Sequence, residues 1–159
     1  MPELVVVNTG PLIAWERMGC LDDIGRLPFQ TVCPEEVRSE LDEGERAGHP
    51  RIAPPWLGVR RLLTPVTSLG VIELDVGETA VIQLALELPA KMVVMDEWKG
   101  RRAALALNLE VTGSLGLLGM ARKLGLIPFA RPFVERAAAA GVRYHPLVIS
   151  AILRGLGKE

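Results

Sequence analysis

The fold of this chain is decided by the stretch Leu4-Val5-Val6-Val7-Asn8-Thr9-Gly10-Pro11. Its four apolar residues, three of which are β-branched, predict a short strand that is buried on both faces, as in a parallel sheet. The Asn, Gly and Pro that follow predict a turn into a helix, which we expect to begin at Leu12 and to end at Gly19. The opening of the chain therefore predicts the first strand and helix of an α/β protein.

Two further apolar runs predict strands of the same kind. Residues 91–95 end at Asp96, and residues 110–112 are closed by Gly113. Helices are predicted to begin at Pro34 and to span residues 75–88, 97–107, 115–124, 133–140 and 147–156. Strands and helices that alternate in this way predict a three-layer α/β/α sandwich around a mostly parallel sheet. We expect it to form a single domain over residues 1–159.

Three other segments have weaker patterns. Residues 29–33 fit a short strand or an extended link, and residues 59–66 fit a strand that Pro65 weakens. Residues 42–55 are polar and contain five Gly and Pro residues, which predicts a loop.

The composition is that of one globular domain with a substantial core. The 159 residues are 49% hydrophobic and 23% charged, which excludes a disordered, collagen-like or coiled-coil chain. No apolar run approaches the roughly 18 residues of a membrane helix, and no signal peptide is visible at the start. Cys20 and Cys33 lack metal-ligand spacing and suit small buried thiols in a reducing compartment. We therefore expect a cytoplasmic protein that does not contact a membrane.

The charge is unevenly divided along the chain. Residues 1–98 contain 8 Lys and Arg against 16 Asp and Glu, whereas residues 99–159 contain 10 against 3. This division favours a polyanionic ligand on the basic part, with the carboxylates reserved for a metal. A drift of charge along a solvated surface explains it equally well.

Four oxygen-bearing side chains form the candidate site: Asn8, Glu40, Glu78 and Asp96. In open parallel sheets, ligands bind beyond the carboxyl ends of the strands, which is where Asn8 and Asp96 fall. Mg²⁺ and Mn²⁺ prefer oxygen ligands, and converging carboxylates repel each other unless a cation neutralises them. We expect the fold to bring the four together around a metal that activates water for attack at phosphorus.

Each of the four residues also has a purely structural explanation. Asn8 can simply end the first strand, and Glu40 can be a solvated helix residue. Glu78 lies three residues after Asp75, which is the spacing of a capping box. Asp96 can cap the helix that follows it. The metal hypothesis therefore depends on the order of all four along the chain.

Other common catalytic motifs are absent from the sequence. It contains no G-x-x-x-x-G-K-[ST] phosphate loop, and the glycines at 113, 116 and 119 do not form G-x-G-x-x-G. Neither His49 nor His145 has a Ser or Cys partner suggested by its sequence context. Ser-His-Asp catalysis is therefore not expected.

Six short motifs match one known family in order and spacing. They are residues 5–13 (VVVNTGPLI), 33–41 (CPEEVRSEL), 77–82 (GETAVI), 93–96 (VVMD), 112–116 (TGSLG) and 125–128 (GLIP). On these residues the chain resembles the PIN-domain ribonuclease family, in a compact prokaryotic branch that is similar to VapC-type toxins and has Asn at the first acidic position. The resemblance spans nearly the whole chain.

The resemblance implies an endoribonuclease that depends on Mg²⁺ or Mn²⁺ and is often the toxin of a toxin–antitoxin pair and a homodimer. Carried onto this sequence, it implies that Asn8, Glu40, Glu78 and Asp96 hold the metal directly or through water. Thr9 would position the first of these ligands through its hydroxyl. The substrate implied by the resemblance is RNA. The guanidinium groups of Arg101 and Arg102 would contact its phosphates, or else lie on a solvated helix face.

Two positions depart from the family pattern. The first acidic position usually carries Asp, whereas this chain has Asn8, which lacks a negative charge and weakens metal binding. Related toxins often place another acid two residues beyond the last Asp, where this chain has Trp98, with Glu97 as the nearest substitute. Fewer carboxylates favour one metal over two.

Three hypotheses remain open from the sequence. The preferred one is the metal-dependent ribonuclease. The second is a catalytically weak or inactive RNA-binding or regulatory module on the same fold, which Asn8 and Trp98 favour. The third is another α/β class, such as a phosphoacceptor receiver domain, which would need paired acids where this chain has Asn8-Thr9.

Overall fold

A computed structural model describes residues 2–66 and 74–155 of the chain. The elements within these ranges are β1 (Glu3–Val7), α1 (Thr9–Met18), α2 (Leu21–Gly25), β2 (Phe29–Pro34), α3 (Glu35–Arg46), β3 (Gly58–Arg60), α4 (Val76–Glu87), β4 (Met92–Val94), α5 (Trp98–Ala106), β5 (Val111–Thr112), α6 (Ser114–Lys123), α7 (Arg131–Ala139) and α8 (Pro146–Gly155).

The five strands form one sheet in the order β3-β2-β1-β4-β5, and every pairing is parallel. β1 lies in the middle, and its last three residues, Val5, Val6 and Val7, have no exposed surface. The prediction of a strand buried on both faces is therefore confirmed. Receiver domains have the strand order 2-1-3-4-5, so this sheet excludes that class.

Helices cover both faces of the sheet. α4 packs across β2, β1 and β4, and α5 lies beside α4 against β5. A second group is centred on α1, which contacts α2, α3, α6 and α7. The predicted α/β fold is confirmed, with its parallel sheet between the two helical layers.

The prediction of a loop over residues 42–55 is wrong for its first five residues. α3 continues to Arg46, and the loop begins at Ala47. The guanidinium of Arg38 contacts the carboxylate of Asp42 at 2.9 Å, one helical turn further on. Such pairs stabilise a helix by a few tenths of a kcal/mol, which favours the extra turn.

The strand predicted over residues 59–66 is much shorter than expected. β3 ends at Arg60, and beyond it the N–H of Leu63 donates to the carboxylate of Glu87 at 2.6 Å. A backbone donor used in this way cannot join a strand ladder, and Pro65 has no donor at all. The short helix α2 was not predicted, because its five residues are too few for a clear periodicity.

The core links the first helix to the sixth through a tryptophan. Trp15 has no exposed surface, and its indole N–H donates to the backbone oxygen of Ser114 at 3.1 Å. Cys20 and Cys33 are free thiols in the same core, as predicted, and burial raises the pKa of each to about 12. In the described part of the chain, no helix combines the length and the apolar character that a bilayer span requires.

We expect Trp15→Phe to lower the free energy of unfolding by about 1–3 kcal/mol, because it removes the buried hydrogen bond from the indole N–H to the oxygen of Ser114. Urea denaturation followed by far-ultraviolet circular dichroism measures this change. The matched control is Trp98→Phe, since Trp98 is 69% exposed and should change stability by no more than about 0.5 kcal/mol. Equal losses in the two variants would contradict the role given to the Trp15 hydrogen bond.

Candidate functional site

The carboxyl ends of β1, β4 and β5 meet at one edge of the sheet. The N–H of Asn8 donates to the oxygen of Val94 at 3.0 Å, and the N–H of Met95 donates to that of Thr112 at 2.9 Å. The residues that follow these three strands therefore lie side by side, as the sequence predicted. Asn8 is buried at the N-cap position of α1, and its side chain makes no capping hydrogen bond there.

Glu40 reaches this edge from α3. The hydroxyl of Thr9 donates to Oε2 of Glu40 at 3.0 Å. The resemblance implied that this hydroxyl would position Asn8, whereas in the structure it orients Glu40. A Cβ atom added to Gly77 would collide with Oε1 of Glu40. The carboxylate of Glu40 therefore lies against the first turn of α4.

Glu78 closes the capping box that its spacing predicted. Its N–H donates to Oδ1 of Asp75 at 2.7 Å, and the N–H of Asp75 donates to Oε1 of Glu78 at 3.3 Å. Only 6% of Glu78 is exposed. Within the described residues, its Oε2 is buried and has no hydrogen-bond partner. Capping therefore accounts for one carboxylate oxygen of Glu78 and leaves the other unexplained.

Asp96 is held by the start of a helix that is distant in the sequence. Its Oδ1 accepts from the N–H of Ser114, and its Oδ2 accepts from the hydroxyl of Ser114, both at 2.8 Å. The expected cap of the next helix is not seen, because α5 begins after Glu97 and Asp96 instead supports α6. The Ser114 hydroxyl also lies 2.5 Å from the phenol oxygen of Tyr144.

A glycine lies against each of these three carboxylates. Besides Gly77 at Glu40, a Cβ atom on Gly100 would lie 2.9 Å from Oε2 of Glu78, and one on Gly113 would lie 2.7 Å from Oδ1 of Asp96. Side chains at these glycines would displace the carboxylates. The close approach of helix and loop backbone therefore shapes the site.

The three carboxyl groups share one electrostatic feature. Burial is the largest cause that raises the pKa of Glu40, Glu78 and Asp96. The backbone N–H of Asp75 lowers the pKa of Glu78, whereas the charge of Asp75 raises the pKa of both glutamates. The Ser114 hydrogen bonds oppose the rise at Asp96. A cation would relieve the cost of these buried charges.

The expected gathering of all the acids into one set is not seen. Over residues 2–66 and 74–155, no three His, Cys, Asp or Glu side chains converge closely enough to hold a metal ion. Glu40 is held by Thr9, Glu78 by Asp75 and Asp96 by Ser114, so each carboxylate has its own anchor. The observation that does fit a hard cation is the unpartnered Oε2 of Glu78. The assignment of Asn8, Glu40, Glu78 and Asp96 as metal ligands stays a prediction.

A cleft of about 690 Å³ opens beside Asp96. Its basic lining consists of Arg17, Arg101, Arg143 and His145. Of the two arginines that the sequence singled out, Arg101 lies in the cleft and donates to the oxygen of Met95 at 2.9 Å. Arg102 does not line the cleft and instead stacks on Trp98, with its guanidinium carbon 5.7 Å from the ring centroid.

Sequence analysis missed several residues of this cleft. Arg17 lies on α1, and Arg143, Tyr144 and His145 lie between α7 and α8. The excess of positive charge in residues 99–159 was a general signal for the second group. Nothing local in the sequence indicates that these residues meet Asp96, because helix packing brings them there.

We expect Glu78→Gln to raise the thermal midpoint at pH 7 in EDTA, because an amide keeps the cap and removes a buried charge. The raised pKa means that the folded state binds the proton more tightly than the unfolded state, so ionisation destabilises the fold above that pKa. The advantage of the variant should therefore shrink as the pH falls towards the ordinary value of 4.5. Differential scanning fluorimetry from pH 4 to pH 8 measures it, with Glu135→Gln at an exposed position of α7 as the control. A variant less stable than the wild type at every pH would refute the cost assigned to this charge.

Nearly all of the chain matches one family of known proteins. The family model is described as DUF3368, PIN domain, and it matches residues 4–158. No curated protein and no solved structure matches the chain. PIN domains are generally nucleases and usually use divalent metal ions. The extent of the match, together with the parallel sheet and the polar residues at its carboxyl edge, means that this protein belongs to the PIN-domain family.

Proposed function

We propose that this protein is a divalent-metal-dependent endoribonuclease that hydrolyses phosphodiester bonds in RNA. The observation that carries the proposal is Oε2 of Glu78, a buried carboxylate oxygen without a partner in the described residues, on a protein of a nuclease family. Such an oxygen is costly to bury, and a bound cation removes that cost.

The metal would be Mg²⁺ or Mn²⁺, held by Glu78, Asp96 and Asn8, with Glu40 as a further ligand directly or through water. These side chains supply carboxylate and amide oxygens, which hard cations prefer. A bound divalent cation supplies Lewis acidity and lowers the pKa of a coordinated water.

The chain's own residues position the reacting groups. Thr9 fixes the Glu40 carboxylate through its hydroxyl, and the raised pKa of Glu40 suits it to accept a proton from water at Oε1. Ser114 holds both oxygens of Asp96 and so fixes the orientation of that carboxylate.

The basic lining of the cleft supports a polyanionic substrate. Arg17, Arg101 and Arg143 face the same space as Asp96. Their planar guanidinium groups match phosphate oxygens, and contacts of this kind give salt-dependent affinity with little sequence information. We assign them to the RNA backbone on either side of the scissile phosphate.

Three finer proposals rest on the resemblance to VapC-type toxins. The protein acts as the toxin of a toxin–antitoxin pair, binds an antitoxin protein and forms a homodimer. We also propose a cytoplasmic location, which the free buried thiols of Cys20 and Cys33 support.

We expect purified protein to cleave RNA with Mn²⁺ or Mg²⁺ and not with EDTA, and Asp96→Asn to lower the rate by about 100-fold or more. A panel of structured and single-stranded RNAs, followed by gel electrophoresis, measures this. The matched control is Asp22→Asn, an exposed aspartate on α2, which should cleave like the wild type. Cleavage that survives EDTA, or equal cleavage by Asp96→Asn, would contradict the proposal.

A second candidate function is a non-catalytic RNA-binding or regulatory module. Two observations favour it: Asn8 replaces an acid, and both oxygens of Asp96 already accept hydrogen bonds from Ser114. This function predicts RNA binding that is unaffected by EDTA and by Asp96→Asn, without turnover. If the protein binds RNA but does not cleave it, Asn8→Asp tests whether the missing negative charge causes the inactivity. In that case the variant should show metal-dependent cleavage.

A further inference from the structure

We propose that Trp98 is a base-stacking subsite that takes one unpaired base of a single-stranded nucleic acid bound in the cleft. This inference rests on the proposed function, since it specifies which form of nucleic acid the site receives. The subsite is defined here by the indole of Trp98 and the guanidinium of Arg102 that stacks on it.

The position of Trp98 ties the subsite to the cleft. Trp98 is the first residue of α5, two residues beyond Asp96, and it lines the same cleft as that carboxylate. It is 69% exposed, whereas Trp15 has no exposed surface. An indole that stays in water forgoes the free energy gained by burying a large aromatic surface. A ligand that covers the ring recovers that free energy.

Arg102 contacts the indole of Trp98 through its guanidinium group. It lies one helical turn after Trp98, and its guanidinium carbon is 5.7 Å from the ring centroid. This cation–π contact places the guanidinium over one face of the ring. The other face is then available to a planar group. Bases stack on aromatic rings irrespective of their identity, because every base has a π face.

The charges around the cleft favour a nucleic acid over other planar ligands. Arg17, Arg101 and Arg143 line it together with Trp98, against the acidic Asp96 and Glu97. Arginines beside an exposed aromatic ring match the alternation of phosphate and base along a single strand. In a duplex the bases are paired and stacked on each other, so the ring would have none to contact. We therefore assign the subsite to a single strand.

The test measures binding in EDTA, where metal-dependent cleavage cannot occur. The probe is a fluorescein-labelled single-stranded 12-nucleotide RNA, followed by fluorescence anisotropy. Trp98→Ala should weaken binding by about 5- to 100-fold, and Trp98→Phe by less, because a phenyl ring still stacks. The matched control is Leu105→Ala, since Leu105 is 56% exposed on the same helix and does not line the cleft. It should bind like the wild type.

Salt titration separates stacking from phosphate contacts. Trp98→Ala should weaken binding without changing the dependence of log K on log salt concentration. Arg143→Gln should lower that slope by about 1, because it removes a phosphate contact. A loss of slope in Trp98→Ala would show that the variant disturbs the arginines, and would overturn the assignment of a stacking role.

Abasic probes identify the stacked base directly. One abasic nucleotide, moved along the probe, should weaken binding to the wild type at one position and should have no such effect on Trp98→Ala. The same strand as DNA should show the effect as well, and a duplex should not. If Trp98→Ala binds every probe like the wild type, if no abasic position matters, or if no single strand binds, the proposal is overturned.

Other outcomes distinguish this inference from the proposed function. If metal-dependent cleavage is absent but the abasic effect is present, the nuclease proposal fails and the stacking subsite stands. If Trp98→Ala cleaves RNA with unchanged KM, the subsite is refuted and the nuclease stands. If Trp98→Ala binds RNA like the wild type but has an altered sedimentation coefficient, Trp98 is a contact between protein chains, and the proposal is overturned.

Discussion

β1 is hydrogen-bonded on both sides, to β2 and to β4, and its three valines have no exposed surface. A strand held in this way cannot shift without moving its apolar side chains, so its carboxyl end has a fixed place. The N–H of Asn8 continues the ladder to β4, and the N–H of Met95 continues it to β5. The positions of Asn8, Asp96 and the start of α6 at one edge all follow from this pairing. The candidate site is thus a consequence of how the central strand is packed.

The acidic residues of the site also stabilise helices. Glu78 completes the cap of α4, and Asp96 satisfies the N–H of the first residue of α6. Burial nevertheless raises the pKa of both, so the fold keeps charges that are costly to bury. A structural role explains their anchoring but not the remaining oxygen of Glu78. Acidic residues that cap helices and also carry destabilising buried charges are typical of functional sites, where residues are kept for their chemical role at the expense of stability.

Local patterns in the sequence predicted most of the fold. The β-branched run before Asn8 and the Asp75–Glu78 spacing each depend on neighbouring residues, and both were correct. The errors arose where a side-chain contact changed the extent of an element. α3 is one turn longer than predicted and contains the Arg38–Asp42 ion pair. β3 is shorter than predicted, because the N–H of Leu63 bonds to Glu87. The site was harder to predict. Ser114 lies 18 residues from Asp96 along the chain, and only packing brings Arg17 and Arg143 into the same cleft.

The glycines at the site have a consequence for how its variants should be interpreted. Gly77, Gly100 and Gly113 each lie where a methyl group would strike a carboxylate oxygen of Glu40, Glu78 or Asp96. Under the proposed function, a natural variant that keeps all four candidate ligands is still expected to be inactive if alanine at one of these glycines displaces an acid without replacing it. Intact acids alone are thus an insufficient criterion for an active relative of this chain. A sequence criterion for this site should therefore require glycine at these three positions as well as the carboxylates that lie against them.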